Sequence, residues 1–114
     1  MGDISQTRAT YAVIFTSSRT AGDNGYAEMA DRMEALDRQE PGFISVESAR
    51  TPGGTGITVS YWESLEAIRD WKQNAEHLVA QQQGKSRWYE NYRVRICRVE
   101  REYSFASSES GTAG

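Results

Sequence analysis

The hydrophobic pattern of this chain changes its period at Ser64. Before it, residues 57–62 alternate strictly, which is typical of a β-strand and directs Tyr61 and Trp62 to opposite faces of a sheet. After it, apolar side chains recur every third residue as far as Trp71, which is typical of a helix. Ser64 is a suitable N-cap at the boundary. A strand therefore runs directly into a helix here.

The remaining patterns place one helix and three more strands around this junction. Pro41 and Gly42 end a predicted helix of about fourteen residues that has an apolar stripe on one side. A short Gly-containing turn over residues 51–55 predicts a hairpin. The predicted strands cover residues 11–15, 43–50, 57–62 and 92–103. This βαββαβ order predicts a ferredoxin-like α+β fold, a four-stranded antiparallel sheet with both helices on one face.

Asn74 is predicted to interrupt the second helix. As an N-cap it would start a new helix at Ala75, with a break after Lys72. In an uninterrupted helix His77 would point roughly 160° away from the apolar stripe, at about 100° per residue. The predicted break turns His77 back towards Trp71 and keeps its imidazole neutral in the first turn of the new helix.

The last strand has apolar residues on both faces. Val94 and Ile96 share one face, whereas Cys97 and Val99 share the other. This change of face predicts a β-bulge, or a strand that passes from one neighbouring strand to another. The first strand is also apolar on both sides, which favours a homodimer that stacks two sheets.

Composition excludes several classes of protein. The 114 residues fit one domain, expected over residues 8–104, with an N-terminal arm at 1–7 and a disordered tail at 105–114. Thirteen basic and sixteen acidic side chains are mixed along the chain, so no nucleic-acid partner is expected. No apolar run approaches the roughly 20 residues of a membrane span. The lone Cys97 indicates a reducing, cytoplasmic location.

The candidate site gathers around Trp71. We take Trp71 and His77 as candidate functional residues, because an aromatic ring can form a pocket wall and a neutral imidazole can accept a proton. Each has a structural alternative: an aromatic at this spacing is also typical of a core, and a histidine can simply bond a turn. No metal-ligand or nucleotide-binding pattern is present. The candidate substrate-binding residues are Tyr61, Trp62 and Trp88, although for Trp88 an anchor at a dimer interface is slightly favoured.

The order of elements, the Tyr61–Ser64 junction, Trp71, the Glu76–His77 pair and the segment 87–89 together resemble the antibiotic biosynthesis monooxygenase family. The resemblance covers about residues 8–104. It implies a dimeric α+β barrel with a small pocket between sheet and helices in each subunit.

The resemblance implies two enzymatic activities. One branch of the family oxidises phenols to quinones with molecular oxygen and no cofactor, and here Trp71 matches the pocket tryptophan. The resemblance to this branch makes Trp71, Asn74 and His77 the candidate catalytic residues, with His77 as base or proton donor and Asn74 as hydrogen-bond donor to a phenolate or peroxide. The other branch degrades haem, but this chain has Gln81 near the axial histidine position and no asparagine on its first strand, so haem chemistry is less favoured. We expect a cofactor-independent monooxygenase acting on a small aromatic or quinol-type substrate. A non-catalytic, small-molecule-binding dimer of the same fold is the alternative.

Overall fold

A computed structural model describes residues 9–82 and 85–107 of the chain. Its elements follow the predicted order, with one additional helical turn before the last strand. They are β1 (Thr10–Arg19), α1 (Tyr26–Gln39), β2 (Phe43–Arg50), β3 (Thr55–Trp62), α2 (Leu65–Gln82), α3 (Lys85–Trp88) and β4 (Tyr89–Val99). The predicted N-terminal arm and most of the predicted tail lie outside the described residues.

The four strands form one antiparallel sheet in the order β2-β3-β1-β4, which confirms the ferredoxin-like fold. In the register of this sheet Val13 of β1 lies opposite Ser60 of β3 and Ile96 of β4. Residues that lie opposite each other across antiparallel strands point to the same face. We call the face that carries Val13 the helix-facing side, because it packs against Ile68 of α2.

The hydrophobic core lies between this side of the sheet and the helices. Val13, Trp62 and Ile68 are buried there, and Trp62 has no exposed surface. Burial of side chains of this size stabilises the fold by about 1.5–3 kcal/mol each. Half-buried Phe43 and Trp71 pack around them. Burial of this apolar face therefore holds α2 against the sheet.

The turn between α1 and β2 brings the two long helices close together. Gly42 has a φ of 87°, and a Cβ atom on it would lie 2.6 Å from the Cβ of Ala67 in α2. Only glycine meets both conditions without strain, since it has no Cβ and adopts positive φ freely. The predicted helix end at Pro41 and Gly42 is confirmed.

The predicted break in the second helix is wrong. The Ser64 cap is present, because Ser64 Oγ accepts a hydrogen bond from the Ala67 backbone N–H at 3.0 Å. From there α2 continues without interruption from Leu65 to Gln82. Asn74 does not cap a new helix, because its side-chain amide donates instead to Glu40 Oε2 at 2.7 Å. A tertiary contact thus replaces the local cap that the sequence suggested.

The predicted irregularity near Cys97 is absent, both as a bulge and as a change of neighbouring strand. β4 pairs with β1 in continuous register from Val99 back to Asn91, and the register shift lies at the other end, between Ser18 and Arg19. β4 lies at an edge of the sheet, where Val94 and Ile96 are 45% and 49% exposed. Residues 100–107 follow without helix or strand. Within the described ranges, no helix has the length and apolar character needed to cross a bilayer.

Candidate functional site

Trp71 joins the two long helices through a buried carboxyl group. Its indole Nε1–H donates to Oδ1 of Asp37 in α1 at 2.5 Å. Its ring lies 5.5 Å from the ring of Trp62, centroid to centroid. Asp37 is only 6% exposed. The prediction that Trp71 lies on the inward stripe of its helix is therefore consistent with both a core role and a pocket role.

The environment of Asp37 makes it an unusual acid. Burial raises the pKa of this carboxyl from 3.8 to about 6, an effect that the hydrogen bond from Trp71 opposes. The charges of Glu34 and Glu40 raise the pKa further, whereas that of Arg38 lowers it. A carboxyl group with a pKa near 6 can both accept and release a proton close to neutral pH.

Sequence reasoning missed Asp37, although a signal was present. The residue follows Met29 and Met33 at intervals of eight and four, so it lies on the apolar stripe of α1. A carboxylate in such a position requires a hydrogen-bond partner when the stripe is buried.

Trp62 and Tyr61 lie on opposite faces of the sheet, as their alternation predicts. Trp62 is enclosed: its Nε1–H donates to Ser60 Oγ at 2.8 Å and its ring packs edge-on against Phe43 at 5.4 Å. The Tyr61 hydroxyl, on the far face, lies 3.4 Å from Glu47 Oε2, to which it donates. The two residues therefore cannot contact one ligand within a single chain.

His77 and Asn74 lie away from the core. Both side chains are exposed, and Nε2 of His77 is 3.4 Å from Nε2 of Gln81, one helical turn further along. His77 follows Ile68 by nine residues, which is two and a half helical turns, so it points to the opposite side of α2. The inward turn of His77 depended on the break at Asn74 and is therefore wrong. The two residues instead border an open groove between α1 and α2, together with Arg32, Leu36, Gln39 and Gln81.

Trp88 serves as an anchor at the other end of the molecule. It is 3% exposed, and its Nε1–H donates to the carbonyl of Asn24 at 2.9 Å. Its own carbonyl accepts hydrogen bonds from the Thr20 backbone N–H at 2.9 Å and from Arg19 Nε at 3.0 Å. These contacts tie α3 to the loop that precedes α1.

A second cluster of aromatic rings lies on the helix-facing side, between α1 and β4. Tyr89 packs against Phe15 at 5.4 Å and against Tyr26 and Tyr92 at 5.9 Å each. Burial and a hydrogen bond with Tyr26 raise the pKa of Tyr89 far above 10, so its phenol stays protonated. Local sequence patterns do not predict this cluster, because its members come from three separate elements.

Residues 9–82 and 85–107 contain no group of three His, Cys, Asp or Glu side chains arranged to bind a metal ion. Cys97 is a free, exposed thiol.

The fold matches structures that share little sequence with it. SnoaB from Streptomyces nogalater, a cofactor-independent oxygenase solved as a mutant, aligns with a TM-score of 0.68 at 9% identity, over 82% of this chain and 95% of that one. PA3566 from Pseudomonas aeruginosa aligns with a TM-score of 0.62 at 19% identity, over 83% and 96%. At this level of identity the likeness concerns the fold alone.

Another protein has a much higher sequence identity to this chain. It is 50% identical over 95 residues to the uncharacterized protein YqjZ of Bacillus subtilis strain 168, covering 83% of each chain. The family model described as antibiotic biosynthesis monooxygenase matches residues 24–83, which include α1, β2, β3 and α2. With the predicted fold and the resemblance both confirmed, the chain belongs to the antibiotic biosynthesis monooxygenase family.

Proposed function

We propose that this protein is a cofactor-independent monooxygenase that oxidises a small aromatic or quinol-type substrate with molecular oxygen. One observation carries the proposal beyond family membership. The helix-facing side of the sheet continues from the Trp62–Trp71 pair to an uncovered apolar surface on β4, where Val94 and Ile96 are about half exposed. A flat apolar substrate can bury itself on such a surface.

In the proposed reaction the substrate supplies the electrons. A deprotonated phenol or anthrone gives one electron to oxygen, the two radicals combine, and the resulting hydroperoxide loses water to leave a quinone carbonyl. One oxygen atom ends in the product and the other in water. The protein then has three tasks: it binds the ring, stabilises the anion and moves protons.

Trp71 is our first candidate for this site because its ring extends the buried aromatic pair and its N–H meets an acid with a pKa of about 6. Trp62 supports the ring of Trp71, whereas Trp88 holds the loop before α1 at the other end of the molecule. His77 and Asn74 retain their proposed catalytic roles only if substrate reaches the α1–α2 groove. Variants at these two positions therefore decide between two locations for the chemistry.

We further propose that the enzyme works as a homodimer in the cytoplasm. The face of the sheet opposite the helices carries Ile14, Ile57 and Val59, and Ile57 is 42% exposed in the single chain. A second sheet stacked on this face would bury these residues, with the Tyr61 hydroxyl at the interface.

The test is oxygen uptake with an anthrone and with a naphthohydroquinone, each corrected for autoxidation without protein. We expect uptake in the wild type, a loss of at least about tenfold in Trp71→Phe, and no change in the exposed control Arg69→Gln. A loss in His77→Ala and Asn74→Ala, with Trp71→Phe unaffected, would move the site to the groove. Uptake no faster than autoxidation with every substrate contradicts the proposal.

A binding protein without catalytic activity is the alternative, and the exposed positions of His77 and Asn74 favour it. In that case an aromatic ligand raises the melting temperature by mass action, while oxygen uptake stays at the background rate. A haem protein is the less favoured third candidate. Haemin titration would then give a sharp ligated Soret band that disappears in His77→Ala.

A further inference from the structure

We propose that the helix-facing side of the sheet binds an aromatic carboxylate, with its ring on the exposed residues of β4 and its carboxylate at Arg19 and Arg50. This inference deepens the proposed function. It rests on that function only in taking the aromatic carboxylate to be the substrate of the enzyme. We refer to Arg19 and Arg50 as the arginine pair, and to Tyr92, Val94 and Ile96 as the β4 strip.

The arginine pair is held in place by neutral acceptors. Arg50 donates to Ser17 Oγ at 2.8 Å and to the Gly54 carbonyl at 2.5 Å. Arg19 donates to the carbonyls of Trp88 and Gly22, at 3.0 Å in both cases. Both side chains are partly buried, so their orientation is set by the fold.

Both guanidinium groups lie near the same aromatic ring. Cζ of Arg19 is 3.6 Å from the centroid of the Tyr26 ring, and Cζ of Arg50 is 5.7 Å from it. Across residues 9–82 and 85–107, no carboxylate forms an ion pair with either group. Two neighbouring, partly desolvated positive charges without a counter-ion favour an anion, and the planar guanidinium fork matches a carboxylate.

A phenol donor lies beside the pair. The Tyr89 ring packs edge-on against Tyr26, at 5.9 Å between centroids, and Arg19 and Arg50 both act electrostatically on the Tyr89 hydroxyl group. Because burial keeps Tyr89 protonated, its hydroxyl group can donate to an anion. The site therefore combines positive charge with a neutral hydrogen-bond donor.

The aromatic cluster leads from these groups to open surface. Phe15 stacks on Tyr92 at 5.3 Å. Further along β4, Val94 lies opposite Phe15 and Ile96 lies opposite Val13, so the whole strip shares the helix-facing side. Its three residues are 41%, 45% and 49% exposed. Alternate residues over this length span about 13 Å, enough for two or three fused rings.

The first experiment compares two stable ligands on the wild-type protein by calorimetric titration. 1-Hydroxy-2-naphthoate carries the carboxylate and 1-naphthol lacks it. We expect the naphthoate to bind at least about tenfold more tightly, with a preference that shrinks as salt is raised. Equal affinities overturn the proposal before any variant is made.

The second experiment removes each charge in turn. Arg19→Gln and Arg50→Gln should each weaken naphthoate binding about tenfold and leave naphthol binding within about twofold. Arg98→Gln is the matched control, because Arg98 lies on the same face at the far end of the β4 strip, opposite Tyr11. If the loss follows Arg98 instead, or if both ligands weaken equally, the proposal is wrong.

A third variant displaces a guanidinium without removing its charge. A Cβ atom on Gly56 would overlap Cζ of Arg50, a flexible side-chain end that can move away. Gly56→Ala should therefore also weaken naphthoate binding selectively, and it keeps the test valid if the glutamine variants fail to fold. Unchanged naphthoate affinity in Gly56→Ala overturns the assignment of Arg50.

Oxygen uptake separates this proposal from the proposed function. Uptake with a neutral hydroquinone, combined with no preference for the naphthoate, refutes the carboxylate site and leaves the monooxygenase intact. Charge-dependent binding without uptake for any substrate supports the site and refutes the monooxygenase.

Discussion

Trp71 and Asp37 form a hydrogen bond between two helices that are separated by two strands of the chain. The indole donates at 2.5 Å to a carboxyl that is almost fully buried. A buried acid normally costs stability unless its partner is present. The pair is therefore the place where substitutions should affect folding and proton binding together.

Replacing Trp71, the hydrogen-bond donor, should destabilise the protein by leaving the buried Asp37 carboxyl without its partner. Trp71→Phe keeps most of the ring but removes the hydrogen bond, so the pKa of Asp37 should rise above about 6. We expect a loss of about 1–3 kcal/mol of unfolding free energy at pH 7.5 and a smaller loss at pH 4.5. Urea unfolding at both pH values measures this. Trp88→Phe, whose N–H meets a backbone carbonyl, is the control and should show the same loss at both.

Replacing the acid should have the opposite effect. Asp37→Asn can still accept the hydrogen bond from Trp71 but cannot ionise. Because the folded protein raises the pKa from 3.8 to about 6, it binds this proton more tightly than the unfolded chain does. The contribution of Asp37 to stability is thus greatest below about pH 4 and falls as pH rises through 6, by roughly 3 kcal/mol in all.

We therefore expect Asp37→Asn to be more stable than the wild type at pH 7.5 and to lose this advantage near pH 4. Unfolding curves between pH 4 and 8 test the sign directly. An advantage that is constant with pH would mean that Asp37 ionises normally. Glu28→Gln, an exposed change of the same kind on α1 whose charge does not act on Asp37, controls for general charge effects.

The continuity of α2 can be tested with proline. Asn74→Pro falls within an unbroken helix and should cost about 3 kcal/mol or more, since it removes a hydrogen bond and clashes with the preceding turn. Leu65→Pro occupies the first helical position after the Ser64 cap, where proline is tolerated, and should cost far less. Chemical denaturation of both variants measures the two losses of unfolding free energy. Equal costs would indicate that the helix does break at Asn74.

Gly42→Ala should destabilise the protein by about 2 kcal/mol or more. The residue has positive φ, and the added methyl group would press on Ala67. Gly53→Ala is the matched control, because an added Cβ meets only Thr51 Oγ1 at 3.8 Å. Thermal melts of the two variants should differ by several degrees. Similar melting temperatures would show that the turn can rearrange at no cost.

Local patterns were sufficient for most of the fold. The predicted strand over residues 43–50 coincides with β2, because turn formers flank an extended run on both sides. The helix that ends before Pro41 was equally clear. The short α3 was not predicted, since a four-residue helix has no periodicity to detect.

The site was less predictable because its contacts join distant parts of the chain. Asn74 has two uses that look alike in sequence, a local cap and a bond to Glu40, and only the folded chain distinguishes them. The partner of Asp37 could not be identified from the sequence, because Trp71 is 34 residues away. Arg19 and Arg50 meet over Tyr26 for the same reason.

Gly42, at the α1–β2 turn, influences the acidity of the Asp37 carboxyl. Gly42 sets how closely α1 and α2 approach, and each helix contributes one member of the Asp37–Trp71 pair. A residue without a side chain thus controls the separation of a proton-binding group from its hydrogen-bond donor. Any substitution at Gly42 that still folds should change the pH at which Asp37 titrates, although the two residues are not in contact.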